Sequence, residues 1–161
     1  MAQVAAGRYT AEIDPQGAVV FLIGMRFNRW WRVDKWWPVF TAMPRMLRQL
    51  AADPGSGMLG YHLWFGGRTV MVSQYWRSTE DLVAFASDSQ APHAAAWREF
   101  NRRIKASGAV GVWHETYEVM PGRHECIYVN MPSFGLAAAT RHVPIGPSAD
   151  SAPARLRHHS A

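Results

Sequence analysis

The sequence predicts an α+β fold in which one antiparallel sheet carries helices on one face, and three observations predict it. Between Ala18 and Asn130 the apolar residues form a strand-like run, a helical stripe, two more strand-like runs, further helical stripes and two final strand-like runs. Adjacent glycines, Gly66 and Gly67, divide the run from Met58 to Trp76 where a two-residue hairpin turn would sit. Ser78, with Asp81 three residues on, marks a helix start directly after that hairpin. Strand, helix, strand, strand, helix, helix, strand, strand is a βαββαβ core with an added strand, the ferredoxin-like plan.

Residues 1–16 are small and polar, end in the turn signal Asp14-Pro15-Gln16-Gly17, and are expected as an N-terminal arm or short edge strand. Residues 18–27, AVVFLIGMRF, read as a first strand that is apolar on both faces. The stretch Asn28 to Leu50 follows with four of the eight tryptophans. Trp36, Val39, Phe40, Met43, Met46, Leu47 and Leu50 recur at the spacing of one helical face. Pro44 should kink this helix, because it cannot donate to the Phe40 carbonyl. A kinked wall of Trp, Phe and Met suits a pocket for a flat apolar molecule, and ordinary core packing accounts for it equally. The helix is expected to stop at Asp53-Pro54-Gly55.

Strands at 58–65 and 68–76 flank Gly66-Gly67, and a helix capped by Ser78 presents Leu82, Val83, Phe85 and Ala86. Pro92 opens another, on which His93, Trp97, Phe100 and Ile104 share a narrow sector at about 100 degrees per residue. After Ser107-Gly108, residues 109–120 form a long strand, Pro121-Gly122 turns the chain, and 124–130 should return antiparallel beside it. The domain then spans 17–136, and 137–161, rich in Ala, Pro, Ser, His and Arg, reads as a flexible C-terminal tail. The first and fourth core strands are apolar on both sides, so a second copy of the sheet is the simplest cover, giving a two-fold homodimer.

With 161 residues, 48% of them apolar, the chain suits one domain. A formal charge of +5, spread along the chain and carried mostly by arginine without a nucleic-acid-binding motif, argues against a nucleic-acid partner. The single cysteine, Cys126, permits no internal disulfide, fits a reducing compartment and reads as a small buried residue on a strand. The apolar run from Ala18 to Met25 is too short to span a bilayer and the N-terminus lacks a signal-peptide pattern, so a soluble, cytoplasmic protein is expected.

Tyr75-Trp76-Arg77-Ser78-Thr79-Glu80-Asp81-Leu82-Val83-Ala84-Phe85-Ala86 resembles the strand-to-helix signature of the dimeric α/β-barrel superfamily, which includes the antibiotic-biosynthesis monooxygenases. Gly24 to Leu50, His93 to Phe100, Trp113 to Tyr117 and Tyr128 to Leu136 are similar to a small family of monooxygenase-like proteins, one member of which is linked to fungal terpenoid biosynthesis. The likeness covers about residues 17 to 142. It implies a dimer, a pocket between sheet and helices in each subunit, and oxygen chemistry on an apolar substrate.

His93 is either a satisfied core histidine or a group facing that pocket. In the second case its imidazole takes and returns a proton near neutral pH, so that a deprotonated phenol or enolisable ketone can pass an electron to oxygen. It is also what a haem iron would accept as axial ligand, so the cofactor stands open between none and haem. Along 109–120, His114 and Thr116 share one face while Trp113, Glu115 and Tyr117 share the other, and the sequence leaves open which meets the helices. A buried Glu115 would need Arg26 or Arg77 as partner. His93, His114 and Glu115 are thus the catalytic candidates. Asn28, Trp31, Trp36, Trp37, Phe40, Met43, Trp97, Phe100, Tyr117, Asn130, Met131 and Phe134 are the substrate-binding candidates. Asn28 and Asn130 either orient a carbonyl or dioxygen or cap backbone ends. Residues 130–136, NMPSFGL, read as a lid or as a loop docked on the core. No phosphate loop, Rossmann fingerprint, nucleophile elbow or zinc-spaced Cys/His cluster is present. Three functions fit: a small oxygenase for an apolar aromatic or terpenoid metabolite, a haem enzyme of the same fold, or a non-catalytic dimeric module that binds an apolar ligand.

Overall fold

The computed structural model describes residues 3–88 and 107–158. Strands β1 (Ala5–Glu12) and β2 (Ala18–Phe27) lead into helix α1 (Val33–Ala51), then the hairpin β3 (Met58–Gly66) and β4 (Thr69–Trp76), helix α2 (Thr79–Ser87) and strand β5 (Val110–Val119). Strand β6 (Tyr128–Met131), helix α3 (Gly135–Ala139), strand β7 (Arg141–Pro144) and helix α4 (Ala152–His158) complete the chain. The main sheet is antiparallel in the order β3-β4-β2-β5, the ferredoxin-like order expected from the alternation of elements.

Helices cover one face. Val19, Leu50, Trp76 and Leu82 close a core between the sheet and both helices, with Phe21, Met58 and Phe85 around it. Trp76 is fully buried, and its indole N–H is satisfied within its own strand by Gln74 Oε1 at 3.0 Å. Ser78 Oγ accepts from the Asp81 amide at 3.1 Å, the predicted cap of α2. Helix α1 runs unbroken through Pro38 and Pro44, and Thr41 Oγ1 donates to the carbonyls of Trp37 and Pro38. Among the described residues no helix is long and apolar enough to cross a membrane.

Five expectations are corrected. The hairpin turn lies one residue later than expected: Gly66 pairs with Thr69, and Gly67-Arg68 turn the chain with Gly67 at φ +55°. A positive φ at the first central residue alone is the II′ pattern, which either glycine could have supplied. Residues 124–130 do not return beside β5, because β6 pairs with β1 instead, Tyr9 opposite Tyr128 and Ala5 opposite Met131. The N-terminal segment is therefore neither a loose arm nor an edge, but the middle strand of a second sheet in the order β6-β1-β7. Beyond Ala137, where a flexible tail is expected, α3, β7 and α4 take regular structure. Strand β7 fills the second edge of β1, and Arg155, 5% exposed, pins α4 through Glu125 and the carbonyls of Ala149 and Asp150. Ala11, Ile13, Ala18, Leu136 and Ala137 form the core that joins the two sheets. Cys126 packs against that core but precedes β6 and is not on a strand.

Candidate functional site

Register settles which face of β5 meets the helices. His114 lies opposite Ile23 and Thr116 opposite Phe21, on the side where Phe21 packs into the helix-covered core. The His114 ring stands 5.8 Å from that of Phe21 and is exposed. Trp113, Glu115 and Tyr117 occupy the opposite face. Glu115 is exposed and accepts from the Tyr117 hydroxyl at 2.7 Å, so it needs neither Arg26 nor Arg77. That hydrogen bond to the carboxylate, with burial and the negative charge behind it, raises the Tyr117 pKa. The sheet itself therefore separates the two described catalytic candidates, His114 and Glu115.

The helix side carries the aromatic wall. Met25 and Val110 form its buried base, with Phe27, Trp36 and Phe40 packed on them. Trp36 stands edge-on to Phe27 at 4.9 Å and to Phe40 at 6.1 Å, and its N–H donates to the Trp30 carbonyl at 2.9 Å. Trp37 stacks on Phe40 at 6.0 Å, and Phe40 reaches Phe65 at 6.3 Å. Met43 is half-buried, whereas Trp31 and Trp37 are 60% and 52% exposed, so only part of the tryptophan set faces inward. His93, Trp97 and Phe100 lie outside the described residues.

Both asparagines hold backbone. Asn28 donates to the Gly108 carbonyl at 3.1 Å, and Asn130, at φ +52°, accepts from the Gly7 amide at 2.9 Å. Met131 ends β6 and is 37% exposed. The segment expected as a lid is docked, with Gly135, Leu136 and Ala137 buried. Phe134 stacks on His62 with ring centroids 4.1 Å apart and meets Trp64 edge-on at 5.8 Å.

A second polar cluster, missed in the sequence, lies under that docked segment. His62 Nε2 accepts from the Gly135 amide at 3.1 Å, and the Tyr128 hydroxyl accepts from the Ala137 amide at 3.3 Å. A Cβ on Gly135, at φ +59°, would lie 3.3 Å from the Tyr75 hydroxyl and 3.5 Å from that of Tyr128. Burial lowers the His62 pKa and raises those of Tyr75, Tyr128 and Cys126, which keeps all four neutral near pH 7. Such groups can hold or pass a proton without a standing charge. The signal available was period two: Gly60, His62 and Trp64 share one face of β3, though nothing local says that residues 134–139 cover it. A cleft of about 330 Å³ between Asp14, Leu59, Arg77 and Thr140 contains none of the catalytic or substrate-binding candidates. Among the described residues no three His, Cys, Asp or Glu side chains are grouped to hold a metal.

The chain is 26% identical over 157 residues to the monooxygenase af470 of Aspergillus fumigatus, covering 81% of this chain and 53% of that protein. It thus spans about half the length of this curated relative. Its structure is similar to that of SnoaB, a cofactor-independent oxygenase from Streptomyces nogalater, at TM-score 0.43 and 15% identity, covering 63% of this chain and 91% of the other. It is also similar to Rv0793 from Mycobacterium tuberculosis, at TM-score 0.42 and 17% identity, covering 62% and 92%. The model of the monooxygenase af470-like family matches residues 18–136, from the first strand of the main sheet to the docked segment, and the chain belongs to that family.

Proposed function

We propose that the chain is a small oxygenase that takes an apolar aromatic or terpenoid metabolite on the helix side of the sheet. Trp36, Phe40 and Met43 supply the apolar wall, and His114 supplies the acid/base group. The observation that supports this most is the position of His114: register sets it on the same side of the sheet as those rings, with Phe21 beside it. Family membership supplies the reaction class.

The chemistry asks little of the protein. An imidazole takes a proton from an activated C–H or O–H, and the resulting carbanion or phenolate gives an electron to dioxygen. Radical recombination forms a peroxide on carbon, and loss of water leaves a carbonyl, so that CH2 and O2 become C=O and H2O with all four electrons drawn from the substrate. His93 is a second candidate base, from the segment 89–106. We further propose that a second copy of the chain covers the open sheet face around Trp64, Trp113 and Tyr117, forming a homodimer.

The test is oxygen uptake by the purified chain with a panel of phenols and enolisable aromatic ketones, with labelled dioxygen traced into the product. His114→Ala is expected to slow turnover by roughly 10²–10⁴-fold. Unchanged turnover removes His114 from the mechanism, and no uptake with any member of the panel overturns the reading. A Soret band in the purified protein would replace it with the haem enzyme.

A further inference from the structure

We infer that the aromatic end of the molecule is a docking surface for an anionic lipid membrane, seated by Trp30, Trp31, Trp37 and Phe65 and held by the arginines around them. The rings come from the loop before α1, the first half of α1 and the tip of the β3–β4 hairpin. Trp30 and Trp31 are each 60% exposed, Trp37 52% and Phe65 65%. They form one surface: Trp30 and Trp31 stand 6.2 Å apart, and Trp36 binds the Trp30 carbonyl and lies 5.8 Å from Trp37. Phe40 then joins Trp37, at 6.0 Å, to Phe65, at 6.3 Å. A contiguous uncovered patch of large rings marks an interaction surface. Indole is the side chain best suited to a lipid interface, with an apolar body and an N–H for the headgroup layer.

Charge identifies the partner. Arg29 adjoins Trp30 and Arg68 lies in the hairpin turn beyond Phe65, both exposed. Among the described residues neither has a carboxylate within ion-pair distance. Arg32 and Lys35 add two more cations, and Asp34, the only carboxylate in residues 26–37 and 63–69, is already bound by both. Unpaired guanidinium groups around exposed indoles complement the phosphates and carboxylates of an anionic headgroup layer. A second copy of the chain fits less well, because a two-fold contact would set this positive rim against itself. Since no described helix can span a bilayer, association is peripheral.

The test is independent of the oxygenase reading, because vesicle binding is read without substrate. The purified full chain is sedimented with phosphatidylcholine vesicles, with and without phosphatidylserine. Binding is expected only where phosphatidylserine is present, with a blue shift of tryptophan emission, and it weakens as salt rises. Trp30→Ser with Phe65→Ser should lower partitioning by about tenfold or more. Arg29→Ala with Arg68→Ala should lower it by about fivefold for each arginine removed. Circular dichroism and the melting temperature establish that these exposed substitutions leave the fold intact. The inference is overturned if the chain sediments with neither vesicle, if both variants bind as the parent does, or if the substitutions dissociate an oligomer, which assigns the surface to a second copy.

Discussion

Replacing His62 with phenylalanine would isolate what one hydrogen bond contributes to the cover over the sheet. In the folded chain the imidazole accepts from the Gly135 amide at 3.1 Å and stacks on Phe134 at 4.1 Å. Phenylalanine keeps the ring and its stack and removes the acceptor. Gly135 is buried, so its N–H loses its partner at a cost of about 1–3 kcal/mol. The more apolar ring recovers about 1 kcal/mol of this, leaving a net loss of about 1–2 kcal/mol. In a chain of this size each kcal/mol lowers Tm by about 2–4 °C. The same substitution removes a dependence on pH. Burial lowers the His62 pKa, and the ionisable groups of the same cluster, Tyr75, Tyr128 and Cys126, are themselves held neutral. The unfolded chain therefore binds a proton at His62 that the folded chain resists. This contribution is complete above about pH 6.5 and declines as pH falls below it, until the lowered folded-state value is passed. Thermal unfolding followed by circular dichroism at about pH 8 and about pH 5 measures both effects. If His62→Phe melts with the parent at the higher pH, or loses as much stability as the parent on acidification, the reasoning is wrong.

Gly24→Ala would place a Cβ 2.6 Å from the Trp113 ring, a flat group with no flexible end to yield, so overpacking should cost about 1–3 kcal/mol in chemical denaturation. An unchanged midpoint would show that the indole swings clear at no cost. Arg155→Ala leaves Glu125 and two carbonyls without their guanidinium, and with the carboxylate partly exposed the loss should be about 1–3 kcal/mol. Limited proteolysis should then trim the C-terminal helix from the variant and spare the parent; equal resistance would remove Arg155 as its anchor.

What the sequence made legible follows from where its signals are local. Strand β2 declares itself through a nearly continuous apolar run of ten residues and helix α1 through the helical spacing of its apolar residues, and the Ser78 hydroxyl caps α2 by accepting from the amide of Asp81, three residues on. Strand β1 has no such signal: Ala5, Gly7 and Thr10 are small, and its pairing is with β6 and β7, more than a hundred residues away. Strand β7 is four residues long and ends in Pro144, so composition hides it. The two faces of β5 each mix polar and apolar groups, and only pairing with Leu22 and Ile23 separates His114 from Glu115. His62 was legible as a strand residue but not as part of a site, because its cover arrives from residue 134 onward.

The docked segment also bears on where an apolar substrate would enter. Residues expected to open as a lid are held by hydrogen bonds from Gly135 and Ala137 and by Leu136 in the core between the sheets, so opening them would disrupt the joint on which β1 and β6 depend. On the proposed reading, movement is then less costly at the other end of the molecule. There Trp31 and Trp37 remain exposed, and the hairpin turn beyond Gly66 is tied to β2 by the Phe27–Arg68 backbone bond and to α1 by the Phe65–Phe40 contact. An apolar molecule leaving a membrane at that end would pass from Trp37 to Phe40 and Trp36 along rings already in contact, reaching the side of the sheet that carries His114 without crossing it.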